Sequence, residues 1–196
     1  MKRKIVFVLI AMMCLTACGQ RKKAQPAAQK SSAESVAKAA NPDPSDPYQA
    51  LVGTKFKDFS MTGMDGLKHR LSDYIGGKAV KGKKKYVLVD FWASWCRPCM
   101  MEMPNVKRNW EKYRSKGFDV VGVSLDGDPL AWNMAVTNNG YAWNQLCDLQ
   151  GFDSPAVALY GVQYIPWNFL CDENGTIVAV NLRDASLSDT LAVIYE

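Results

Sequence analysis

The stretch YVLVDFWASWCRPC occupies residues 86–99. Its first part, YVLVDFWA, is a near-continuous apolar, β-branched and aromatic run, the pattern of a strand covered on both faces. Two cysteines follow, Cys96 and Cys99, separated by Arg97 and Pro98. From Arg97 to about Lys116, the apolar residues Met100, Met103, Val106, Trp110 and Tyr113 recur at helical spacing, and Gly117 closes the run. The cysteine pair therefore lies where a buried strand ends and a helix begins. Its use is open at this point between a structural staple, half of a metal site and a redox switch.

Working outward, FKDFSM and LKHRLSDY flank the glycine-bearing turn GMDG and predict two short strands. FDVVGVSL (118–125) predicts a second buried strand, and residues 126–140 a helix with Asp128 and Pro129 at its start. A short strand is expected at QLCDL. NFLCDENGTIVAVNL (168–182) predicts a hairpin turning at DENG, and residues 186–194 a closing helix. This order implies an α/β sandwich around a sheet of parallel and antiparallel strands.

The N-terminus sets the compartment. Lys2, Arg3 and Lys4 precede an apolar run from Ile5 to Leu15, far short of the ~20 residues a spanning helix needs. The run reads as a secretory signal, residues 1–17. Leu15-Thr16-Ala17-Cys18 resembles the lipobox of bacterial lipoproteins, which implies lipidation of Cys18 and a membrane anchor. Export would place the chain where disulfides persist. Residues 1–17 carry three basic and no acidic side chains, so their loss takes the formal net charge from +5 to +2. So weak a balance implies no nucleic-acid partner. Residues 18–50, rich in Ala, Ser, Gln, Lys and Pro, are expected to form a flexible tether, leaving 51–196 as one domain.

At a helix start, unpaired N–H groups and the helix dipole favour an anion, here the Cys96 thiolate. Arg97 adds positive charge, and Pro98 fixes φ in the first turn without losing a needed hydrogen bond. Cys99, one turn on, is placed to attack a mixed disulfide. Arg97, by stabilising the thiolate, would make the couple more oxidising.

VLVDFWASWCRPC resembles the active-site segment of thioredoxin. Pro104 stands where thioredoxins kink the active-site helix, and Ile165-Pro166 resembles their cis-proline segment. Asp90 matches the buried aspartate that exchanges a proton with the thiols. With MEMPN, GVSLD, QLCDL, YGVQYIP and NFLCDENGTIVAVNLR, the order over residues 51–196 is similar to the membrane-anchored, extracytoplasmic thioredoxin-like reductases of the TlpA/ResA type, within the AhpC/TSA–redoxin-related thioredoxin superfamily. The resemblance implies a thioredoxin-like fold with an N-terminal β-hairpin extension. It also implies Cys96 as attacking thiol, Cys99 as resolving thiol, and Asp90 and Glu102 as proton relays. Trp95, Arg97, Pro98, Ile165 and Pro166 would contact substrate. No dissociable cofactor is implied, because electrons pass through the cysteines. The implied partners are disulfide-bonded exported proteins, apocytochrome c among them, and a membrane thiol protein that donates electrons.

Other readings are weaker on the residues. A zinc site needs about four ligands, whereas Cys147 and Cys171 stand alone and His69 is the only histidine. A peroxidatic cysteine of the related peroxidases would want a proline at Val89 and a threonine or serine at Ala93. A copper carrier of the Sco type would want C-x-x-x-C. An oxidase or isomerase remains the alternative direction of the same chemistry. Cys147 and Cys171 are either two buried small residues or a second disulfide. Trp92 and Trp95 are expected to pack around the pair, with Trp95 shielding the thiolate. Met100, Met101 and Met103 point to different helix faces. The basic run at 78–85 is given no role.

Overall fold

The computed structural model describes residues 35–36, 38–40, 42–76 and 85–196. The expected signal, Cys18 and nearly all of the basic run lie outside them. Among the described residues, seven strands form one sheet: β1 (Ser60–Gly63), β2 (Lys68–Arg70), β3 (Tyr86–Trp92), β4 (Phe118–Ser124), β5 (Asn144–Cys147), β6 (Trp167–Cys171) and β7 (Ile177–Val180). Their spatial order is β2-β1-β5-β4-β3-β6-β7. The central β3, β4 and β5 run parallel, while β6 and β7 on one side and β1 and β2 on the other are antiparallel to their neighbours. The described residues also form helices α1 (Arg97–Tyr113), α2 (Pro129–Asn139), α3 (Pro155–Tyr160) and α4 (Asp184–Tyr195). The helices α1 and α2 are the crossovers that parallel neighbours require, and α4 packs on α1.

The central strands are buried along almost their whole length, which is why they read as continuous apolar runs. A close approach holds β4 to β5. A Cβ on Gly122 would come within 2.1 Å of Gln145 Oε1, so a larger residue there would have to displace the Gln145 amide. Gln145 in turn accepts the indole N–H of Trp92 at 3.1 Å. The expected hairpin turns at DENG, where Asp172 Oδ1 accepts the N–H groups of Asn174 and Thr176 and Gly175 takes φ 74°. Each long helix ends as its sequence indicates. Gly117 follows the short turn after α1 at φ 117°, and Gly140 caps α2 at φ 61°.

Two expectations are revised and one element is new. The first hairpin is shorter than FKDFSM and LKHRLSDY suggest: Asp58 and Asp73 accept the N–H groups of Ser72 and Arg70, which ends β2 at Arg70 in a 3-10 turn. The helix α3 was not anticipated, although Ser154, Pro155 and Gly161 mark its start and stop. Packing also begins ahead of residue 51. Residues Pro47–Leu51 form a 3-10 turn capped by Asp46, and Tyr48 enters the core 4.8 Å from the Trp167 ring. Its hydroxyl donates to Gly161 O and accepts from Gln163 N, both at 2.9 Å. Val36 is also buried. One aromatic among small and polar residues is thus enough to pin the end of the expected tether.

Tyr48→Phe should destabilise the fold by about 1 kcal/mol, by leaving the Gln163 N–H unmet. Tyr48→Ala should cost about 2–4 kcal/mol through the lost ring. Urea unfolding of the two variants checks this; equal, negligible losses would show that the segment does not brace the domain.

Candidate active site

The cysteine pair sits at the junction its sequence indicates. β3 ends at Trp92, α1 begins at Arg97, and Cys96 is the N-cap. The pair forms a disulfide with a Cα–Cα distance of 5.2 Å. Cys96 Sγ accepts the Cys99 N–H at 3.2 Å, so a sulfur takes the place that a serine or aspartate oxygen usually fills at a helix start. In the reduced pair that N–H would meet a thiolate, a charge-assisted bond at the positive end of the dipole. Both cysteines are largely enclosed, Cys99 at 1% exposure and Cys96 at 5%. Pro98 lies in the first turn and Arg97 is exposed beside the pair.

The turn between strand and helix is tied down by a side chain that sequence reasoning gave no role. The buried Asp126 carboxylate accepts the Ser94 N–H at 3.0 Å, the Ser94 hydroxyl, and the Ser124 hydroxyl at 2.6 Å. Its signal was GVSLD, an acid directly after a buried strand. Opposite the pair, the Ile165–Pro166 peptide is cis and Ile165 O lies 3.7 Å from Cys96 Sγ. Ile165 is partly buried and Pro166 buried. Trp92 is fully buried, but Trp95 is 58% exposed, its ring 6.4 Å from Phe152. Trp95 is therefore an open apolar surface beside the pair, not the expected shield.

Two carboxyls sit on the elements that flank the pair, Asp90 on β3 and Glu102 on α1. Asp90 is buried within β3, and burial first, then the negative charge of Glu102, pushes its pKa up to about 7. The Asn168 amide and Arg183 charge oppose that rise. Glu102, half-buried on α1, is likewise raised by burial. Its Oε1 accepts from Asn105 Nδ2 at 2.7 Å and from Asp184 N at 3.0 Å. A carboxyl titrating near neutrality can take or return a thiol proton. Cys147 and Cys171 do not join the site as a second bridge. They are free and buried on β5 and β6, with β4 and β3 between those strands. Three strand spacings of ~4.8 Å put them beyond disulfide reach.

The comparisons with known proteins fit this geometry. The AhpC/TSA family profile matches residues 52–180. The chain belongs to the AhpC/TSA family. The AhpC/TSA chain is 31% identical over 126 residues to the thiol-disulfide oxidoreductase ResA of Geobacillus kaustophilus, a match spanning 64% of this chain and 66% of that relative, just under two thirds. Among solved structures it resembles the thioredoxin domain of a thiol-disulfide oxidoreductase from Bacteroides vulgatus, with TM-score 0.65 and 28% identity over 74% of this chain and 98% of that one. A thiol-disulfide oxidoreductase from Bacteroides fragilis gives TM-score 0.61 and 30% identity over 71% and 98%. The fold of this AhpC/TSA chain is thioredoxin-like, as expected, with β1 and β2 as the hairpin extension.

The raised Asp90 pKa predicts a pH dependence of stability. Between its ordinary value of 3.8 and about 7, the folded carboxyl holds a proton that the unfolded chain releases. The contribution of Asp90 to stability is thus full below about pH 4 and is lost as pH rises to about 7, by on the order of 4 kcal/mol. In the oxidised protein, Asp90→Asn should gain on the wild type across that window, and the difference should flatten above it. Denaturant unfolding from pH 4 to 9 measures this. A pH-independent difference would contradict the assignment.

Proposed function

We propose that this chain is an extracytoplasmic thiol-disulfide oxidoreductase that reduces disulfides of exported proteins through Cys96 and Cys99. The observation that carries the reading is the Cys96 sulfur at the N-cap of α1, accepting the Cys99 N–H and facing the Ile165 carbonyl beside cis-Pro166. The similarity to ResA and to Bacteroides oxidoreductases supports the same chemistry.

In the reduced protein the Cys96 thiolate attacks one sulfur of the substrate disulfide. A bond forms between Cys96 and that sulfur, and the other substrate sulfur leaves as a thiolate that takes up a proton. Cys99 then gives its proton to the nearby acid pair, Asp90 and Glu102, and attacks Cys96. The second substrate thiolate departs and is protonated. The substrate gains two electrons and two protons, and the protein is left as the Cys96–Cys99 disulfide. A membrane thiol protein re-reduces it. The exposed Trp95, with Arg97, Pro98 and the Ile165-Pro166 loop, forms the face that meets the substrate chain.

The lipobox-like Leu15-Thr16-Ala17-Cys18 supports anchoring through a lipid on Cys18. Among the described residues, no helix is long and apolar enough to cross a membrane. Cytochrome c thiols are one substrate class within this reading. No dissociable cofactor enters the cycle.

Insulin reduction driven by dithiothreitol tests the reading. Cys96→Ala should lower the catalysed rate to background, and Cys99→Ala should lower it well below the wild type, because its mixed disulfide has no internal resolving thiol and waits on dithiothreitol. Unchanged activity in both variants would refute it.

A further inference from the structure

Between β7 and α4 the chain makes a strained turn. Asn181 and Asp184 are not glycine, yet they take φ 52° and 48°. Such conformations persist only where surrounding contacts over-determine them. Here the contacts lead to both halves of the active site. The Asp184 N–H donates to Glu102, and the Arg183 N–H donates to Ser186 Oγ at 2.9 Å. Arg183 Nη2 donates to the carbonyl of Pro166, on the cis-proline loop. Its guanidinium lies 5.8 Å from the centroid of the Tyr164 ring on that same loop, with Nη2 3.4 Å from Asn181 Oδ1. The Arg183 charge also acts on Asp90 and Glu102, holding both carboxyls lower than burial alone would leave them.

We propose that Arg183 is a positioning residue of the exchange reaction: one guanidinium holds the Pro166 carbonyl, fixing the substrate loop opposite Cys96, and faces the acid pair that receives the Cys99 proton. The proposal rests on the exchange reading above. It explains why a turn of non-glycine residues keeps left-handed backbone: Asp184 and Asn181 are held so that Arg183 can reach inward from between them. The other groups around the acid pair do not supply this charge. Asn105 and Asn168 are neutral, and Asp184 carries the same sign as the pair. Tyr141, which the Asp90 charge also reaches, is held neutral by burial, its pKa pushed up to about 12. Arg108 bonds Asn105 Oδ1 at 3.4 Å rather than either carboxyl, and Tyr164 stands against the guanidinium itself.

The position separates two effects that different replacements can isolate. Loss of the charge should raise the pH at which the carboxylates accept a proton, so the acid limb of the limiting rate moves to higher pH. Loss of the hydrogen bond should loosen the cis-proline loop and weaken substrate seating. Arg183→Gln retains a donor without charge, Arg183→Lys retains charge, and Arg183→Met retains neither.

The test uses pre-reduced full chain mixed with excess insulin, with limiting rate and half-saturating insulin measured from pH 5.5 to 8.5. Arg183→Met should move the acid limb upward by about half a pH unit or more, as expected for loss of a nearby opposite charge. It should also raise half-saturation about tenfold, the scale of one charge-assisted hydrogen bond. Arg183→Gln should move the limb with little change in half-saturation, and Arg183→Lys should leave the limb near that of the wild type. If Arg183→Met does not fold, the Gln and Lys variants decide: a limb shared by the two overturns the proposal. So does a folded Arg183→Met with wild-type limb and half-saturation. A wild type that fails to reduce insulin overturns the exchange reading itself, before any Arg183 variant is compared.

Discussion

The bond from the Cys99 N–H to the Cys96 sulfur fixes where everything else must be. A helix start leaves N–H groups without partners, and this one meets a sulfur rather than an oxygen. For that to hold, β3 must end four residues earlier and the intervening turn must not slip. Asp126 supplies the restraint, gathering the Ser94 N–H and hydroxyl from the turn and the Ser124 hydroxyl from the end of β4. The sheet then brings β6 alongside β3, with Asp90 paired to Asn168 and Phe91 to Trp167. That pairing places the cis Ile165–Pro166 peptide, just before β6, beside Cys96. Chemistry, turn and sheet register are thus one constraint seen at three scales.

The places where this chain departs from local rules cluster around that bond. An aspartate stands among apolar residues in a central strand, and burial raises its pKa to about 7. A glutamate on α1 is half-buried beside it, and a turn of non-glycine residues takes left-handed backbone at Asn181 and Asp184. A surface helix or edge strand would shed such features. Their concentration on and beside the strand and helix that flank the cysteines is the pattern expected of a site held at some expense of stability. The Tyr48 segment reaches the same region from outside, since its hydroxyl bonds both Gly161 and Gln163, just before the cis-proline loop.

Much of this was readable in the residues. β3, α1 and the pair between them follow from an apolar run meeting a helical repeat, and DENG signals its own turn through an aspartate and a glycine. The cis Ile165–Pro166 bond came only from resemblance, because proline alone does not choose that isomer. What escaped was of another kind. Arg183 acts on Pro166, Asp90 and Glu102, which lie 17 to 93 positions away in the chain, so no local pattern joins them. Tyr48 was hidden by the composition around it, and Trp95 by the assumption that an aromatic next to a thiol must cover it. The separation of Cys147 from Cys171 depends on strand order, which spacing does not encode.

The central claim is that Cys96 is the attacking sulfur and Cys99 the resolving one. The most direct measurement is the intact and peptide mass of pre-reduced Cys99→Ala and Cys96→Ala proteins after mixing with insulin under non-reducing conditions. The account predicts a stable mixed disulfide on Cys96 in the Cys99→Ala protein and little or none in the Cys96→Ala protein. An adduct carried by Cys99 alone, or equal capture by both variants, would contradict it.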